Sequence, residues 1–419
     1  EAIDWARVDL PPPMGARSLE LEMRDGRPIW RVQDRDGQLF SVPAGRGAVE
    51  RPVDAAFASR VASRFGGAEA SAVEQIERDQ WTVGNGFDRH RPLWKVSLAD
   101  GAGTQLYISS STGGVAQSTT RTERFWNWLG SVPHWLYPTV LRQNGEAWRQ
   151  VVLWVSGPCI AAAVTGIWIG LLRTRMGARR FKGGRMTPYH GWMLWHHVAG
   201  LVGGVTLFLW IFSGWLSVDP GRLFTPPDPP EGAEQRYAAG TGLPAIDLAG
   251  LGAVAQGARL ARFTTHAGLP RVTLLDAQGE RRVLTLPALT DAAQSRPAIE
   301  QAATVLVPTG RIAQSALLTA PDAYWYEVGA RPQLPVLRLR FDDPARTWLY
   351  LDPLTGEMLQ RVDARRRTYR WLYDMFHKWD LNALTLNRPL WDMLLWIFSL
   401  IGLITSVSGV WIGWKRLRH

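Results

Sequence analysis

The chain carries eight histidines, and several of them stand beside long apolar runs. A neutral imidazole in a dry, apolar setting is a good axial ligand for haem iron. His196 is followed by Gly200, Gly203 and Gly214 at offsets that keep all of them near one face of a helix. Glycines on that face let a flat macrocycle approach the backbone. They equally let a second helix pack closely, and the two readings are compatible. His197 points about 100° away from His196 on the same helix, and His190 lies within about 20° of the direction of His197. These two are secondary ligand candidates. His134 and His377 sit in aromatic segments, Phe125-Trp-Asn-Trp-Leu129 through Tyr137 and Trp371 through Trp379. There the plain alternative to ligation is a hydrogen-bonded interfacial histidine.

The elements that must position these residues are membrane helices. A span needs about 20 apolar residues. Three stretches qualify, at about 148–172, 190–218 and 391–414. The basic run Arg173–Arg185 follows the first, and Lys415–Arg418 follows the last. Positive charge stays on the cytoplasmic side. The loop 173–189 and the tail 415–419 are therefore expected inside. Residues 1–124 and 219–370 are expected outside, in the periplasm of a bacterial inner membrane. The aromatic segments 125–147 and 371–390 are expected at the outer interface. Many of the 22 tryptophans flank the apolar runs, as interfacial rings do.

The chain repeats itself. A shift of 243 residues aligns 104–175 with 347–418, and 21 of those 72 positions are identical, against about 5 by chance. Thr112-Gly113 meets Thr355-Gly356, His134 meets His377, and Gly166-Ile-Trp-Ile-Gly170 meets Gly409-Val-Trp-Ile-Gly413. Both copies run the same way through the membrane, which is a parallel repeat. The counterpart of 190–218 would fall before Glu1. A fourth span ahead of this sequence is therefore expected, completing a four-helix bundle.

Depth then dictates pairing. His196 belongs near the inner surface, His134 and His377 near the outer one, and about 30 Å of hydrocarbon lies between. One iron cannot bridge that distance. His134 with His377 would hold an outer haem. His196 with a residue of the expected fourth span would hold an inner one.

The external regions read as α+β modules. Hairpins are expected around Asp36-Gly37 and Asp100-Gly101 and across Val272–Leu286, helices over Val53–Phe65 and Arg296–Val307, and strands across Leu334–Leu351. Asp352 reads as a turn residue. The single cysteine, Cys159, excludes a disulfide framework or a cysteine-held cluster within one chain. The net charge of +10 is clustered at the span ends, without the basic and aromatic pattern of nucleic-acid binding. No glycine-rich nucleotide motif is visible, so electrons would come from a partner protein or a membrane quinol.

The run Tyr350-Leu-Asp-Pro-Leu-Thr-Gly-Glu357 resembles the strand–turn signature of PepSY modules. The start His196-His-Val-Ala-Gly-Leu201, with Ser213-Gly214 near the far end, resembles the PepSY-associated transmembrane family. That family includes inner-membrane siderophore reductases of the ferrioxamine type. The resemblance covers nearly the whole chain. In the first copy Ser109-Ser-Ser111 replaces Asp-Pro-Leu, which marks that module as structural. The resemblance implies two PepSY-like modules in tandem on a transmembrane bundle, two haems b, and reduction of a ferric siderophore to release Fe(II). The alternative is a non-redox membrane scaffold or inhibitor whose modules bind a partner protein.

Overall fold

The computed structural model describes residues 1–9, 18–24, 26–34, 39–45, 53–238, 246–327, 332–385 and 387–418. Strands form where apolar residues alternate with polar ones. In β2 (Arg27–Gln33), Pro28, Trp30 and Val32 are buried and their neighbours are not, the period-two signature of a half-buried sheet. The chain divides into two units.

The first unit comprises 1–145, 228–319 and 335–361. It holds two copies of one strand series. The first is β1 (Ser18–Arg24), β2, β3 (Leu39–Pro43), β4 (Ala70–Ile76), β5 (Leu93–Leu98), β6 (Gln105–Ser109) and β7 (Val115–Thr119). The second is β8 (Leu260–His266), β9 (Leu269–Leu275), β10 (Arg281–Thr285), β11 (Ile312–Leu318), β12 (Val336–Phe341), β13 (Trp348–Leu351) and β14 (Met358–Val362). Strand starts recur at an offset of 242 residues through β4 and β11, and 243 afterwards. The recurrence thus reaches well upstream of the stretch where residue identities reveal it.

Each copy ends in a four-stranded antiparallel sheet, β4-β5-β6-β7 or β11-β12-β13-β14. One helix covers each sheet. Helix Ala55–Gly66 starts at Asp54, whose carboxylate accepts from Phe57 N, and stops at Gly67 in the left-handed region. Its Ala58 and Ala62 pack against Val96, Leu106 and Ile108. Helix Arg296–Ala303 buries Ile299 and Ala303 against Leu337, Leu339 and Leu349.

The opening hairpins do something the sequence did not announce. β1 pairs antiparallel with β8, which fuses both copies into one sheet of order β10-β9-β8-β1-β2-β3. Trp30, Phe263, Leu21 and Leu284 fill its core face. The expected hairpins and helices lie where alternation and turn residues put them. The Asp36-Gly37 turn lies outside the described residues.

The second unit comprises 146–227, 320–334 and 362–419. Helices Gly145–Leu172 and Arg388–Leu417 are each long and apolar enough to cross a membrane. The single transmembrane helix expected over 190–218 is not one continuous helix. It is two helices, Gly191–Val202 and Gly204–Ser217, bent by 66° at Gly203. The pair is long and apolar enough to cross only if taken as one span. Two adjacent glycines supply the bend, because neither has a side chain to resist it.

Candidate functional site

The bent pair brings His196 and His377 each onto a serine–glycine step of a neighbouring helix. His196 lies on Gly191–Val202 and faces Arg388–Leu417. Its Nδ1 is 3.0 Å from the carbonyl oxygen of Thr405 and 3.1 Å from Ser408 Oγ. A carbonyl can only accept, so Nδ1 carries the hydrogen. Ser408 agrees, since its hydroxyl donates to Ile404 O at 2.6 Å within its own helix. Nε2 is left as the basic nitrogen, with no hydrogen-bond partner among the described residues. Beside Ser408, a Cβ on Gly409 would sit 3.1 Å from His196 Cε1. The glycine makes room for the ring.

His377 repeats the arrangement on the other half of the bent pair. Its Nδ1 is 3.0 Å from Ser213 Oγ, and Ser213 donates to Trp210 O. With the hydroxyl hydrogen committed, Ser213 accepts from Nδ1–H. A Cβ on Gly214 would meet His377 Cε1 at 3.4 Å. The ring also stacks on Tyr373 at 5.1 Å between centroids, and burial pushes the Tyr373 phenol up, holding it neutral.

The His377 segment is clamped from both ends. Residues 370–375 form a π-turn, which opens the helix by one residue. Trp379 ends it in the left-handed region at φ 54°. Arg370, at the start, donates to Asp380, at the end, at 2.8 Å, and to Ala323 O at 3.0 Å. Tyr326 donates to the second Asp380 oxygen. Arg370 and Asp380 are both buried, so each needs the other.

The two sites lie at different levels of one long helix. Trp391 donates to the carbonyls of Lys378 and Trp379, whereas Ser408 holds His196. At 1.5 Å per residue those positions are about 25 Å apart. No single iron reaches both rings.

The remaining candidates fall elsewhere. Gly203 packs on the last helix, where a Cβ would overlap Ile401, and Gly200 lies opposite Thr405 with slack, at 3.9 Å. Both share the face of His196, as their spacing requires. His197 turns the other way. Its Nε2 is 3.2 Å from Thr174 Oγ1, whose hydroxyl donates to Gly170 O, and it meets Tyr189 edge-on. His190 is exposed and receives a hydrogen bond from Arg185. His134 closes the short helix Ser131–His134, is exposed, and belongs to the first unit, whereas His377 belongs to the second. Asp352 is a turn residue. Its carboxylate accepts from Leu354 N and Thr355 N and pairs with Arg281. Ser213 stood out in the sequence only as part of a family resemblance, and Ser408, Arg370, Asp380 and Tyr326 did not stand out at all. The signal available was the recurrence of Ser-Gly at 213–214 and 408–409.

No protein-family model matches this chain, and no curated protein matches it.

Proposed function

We propose that this protein is a haem-containing membrane electron carrier that reduces a ferric chelate, of the siderophore class, outside a bacterial inner membrane. The observation that carries the reading is the shared geometry of His196 and His377. Each ring has Nδ1 anchored to oxygen, and at His196 this leaves Nε2 as the basic nitrogen, which is the state in which imidazole binds iron. Iron-bound imidazole characteristically donates its other N–H to a carbonyl or similar acceptor, fixing the tautomer and raising basicity. The donor set therefore fits haem b. A bound haem supplies one-electron redox chemistry.

The chain's own residues do the rest. Ser408 and Thr405 orient His196, Ser213 orients His377, and Gly409 and Gly214 admit the rings. Phe208, Phe212 and Trp215, stacked along the same helix as Ser213, add an apolar wall that excludes water. Exposed Trp154, Trp168, Trp396 and Val410 on the two long helices favour a lipid environment. Two levels about 25 Å apart on one helix suit transfer from a cytoplasmic or quinol donor to an external acceptor. Siderophore oxygens hold Fe(III) far more tightly than Fe(II), so one electron releases the metal.

The test is an absorption spectrum of the full chain purified from haem-supplied cells. Low-spin b-type bands that are reoxidised by ferric siderophore, with Fe(II) appearing, support the reading. A haem-free protein rejects it and favours the partner-binding scaffold.

A further inference from the structure

The first unit contains a cavity of about 460 Å³ on the polar face of the six-stranded sheet, lined among others by Glu20, Arg31, Arg89, His90, Arg262 and Glu357. That volume lies within the range of small-molecule sites. We propose that this cavity binds a small carboxylate that also carries hydroxyl or ammonium donors.

Two buried nitrogens carry the argument. Arg31 Nε and His90 Nδ1 are both buried and have no hydrogen-bond partner among the described residues. Arg89 Nε donates to His90 Nε2 at 3.2 Å, so His90 Nδ1 bears the hydrogen and is a donor, as Arg31 Nε always is. A buried N–H donor without an acceptor is destabilising, and a ligand in the cavity that accepts from both removes that cost. The rest of Arg31 is already engaged with Glu20 and Glu22, which fixes its plane. Burial, then Arg89 and Arg31, push the His90 imidazole below its usual range, so three basic groups crowd one wall.

The lining also decides the kind of anion. Glu20 and Glu357 share the cavity with the arginines, and a bare, doubly charged oxyanion would be repelled by them. A carboxylate bearing its own donors satisfies the N–H groups with one end and the glutamates with the other. This inference does not rest on haem, because its readout is binding in the other unit.

The experiment is calorimetric titration of the detergent-solubilised full chain with lactate, a singly charged hydroxycarboxylate, and separately with inorganic phosphate. Saturable lactate binding is expected. Arg89→Gln, at an exposed position, and His90→Phe should each weaken it on the order of tenfold, about 1.4 kcal/mol. Arg282→Gln removes the same charge from an exposed pair with Asp291 and should leave binding unchanged. Circular dichroism of each variant checks the fold. No lactate binding up to about 10 mM overturns the proposal. So does phosphate binding as tightly as lactate, or indifference to both Arg89→Gln and His90→Phe.

Discussion

Glu20 and Arg262 face one another across the β1–β8 pair, with Arg262 Nε 2.6 Å from Glu20 Oε1, and they are the same position in the two copies. The 242-residue offset of the strands maps 20 onto 262. The register makes them direct partners. The local two-fold relation between the copies therefore passes through this pair. Identical charged residues there would place like charges face to face, whereas the two copies differ at this position and form an ion pair.

A charge swap tests the axis. Glu20→Arg should destabilise the first unit by about 1 kcal/mol or more, since it opposes two arginines across strands and also frees Arg31. Arg262→Glu should cost less, because Arg262 is partly exposed. The double swap should recover most of the loss from Glu20→Arg. Denaturant unfolding of the three variants measures the coupling, and strict additivity would refute the axial pairing.

Ligand-site variants test the histidine assignment. His377→Ala should remove the haem signal of one site and leave that of His196, with the converse for His196→Ala. His197→Ala should leave both, since its Nε2 already faces Thr174. Redox-titrated absorption spectra separate the two components.

The clamp behind His377 should be strongly felt. Arg370→Ala leaves Asp380 buried without its cation, at a cost of about 3–5 kcal/mol. Arg370→Met with Asp380→Leu, which removes both charges, should cost less. Thermal unfolding in detergent ranks the variants, and the single variant melting with the wild type would reject the clamp.

Helix packing at the bend admits a simple probe. Gly203→Val should destabilise by about 1–3 kcal/mol through overlap with Ile401, while Gly200→Ala should be nearly neutral. Equal melting temperatures for the two would contradict the packing described.

Stability should also depend on acid. Burial alone would raise Glu22, but Arg31 and Arg24 outweigh it and hold its carboxyl below the ordinary value of 4.5. A depressed carboxyl contributes stability that is complete above that value and lost as pH falls through the folded-state value. The first unit should weaken below about pH 4.5, and Glu22→Gln should flatten that slope. Chemical unfolding at a series of pH values reads it out.

Much of this was legible from residue order. Alternation in Arg27–Gln33, the Asp-Gly turns, and the long apolar runs depend on local periodicity, which any window of the chain displays. The shared face of His196, Gly200 and Gly203 follows from helical geometry alone. The bend at Gly203 was less legible, because glycine in an apolar run permits both a straight helix and a break. Packing against Ile401 and Ile167 goes with the break.

By itself, the sequence determined the two-copy order, the lengths of the apolar helices, and which histidines stand beside them, because these are properties of spacing and composition. Tertiary structure decided that β1 meets β8, that Ser408 and Ser213 hold the Nδ1 atoms of two histidines, and that Arg370 and Asp380 clamp one of them. The physical reason is common to all three. Each joins residues far apart in the chain, and a hydrogen bond or strand register of that kind leaves no periodic trace in the residues that make it.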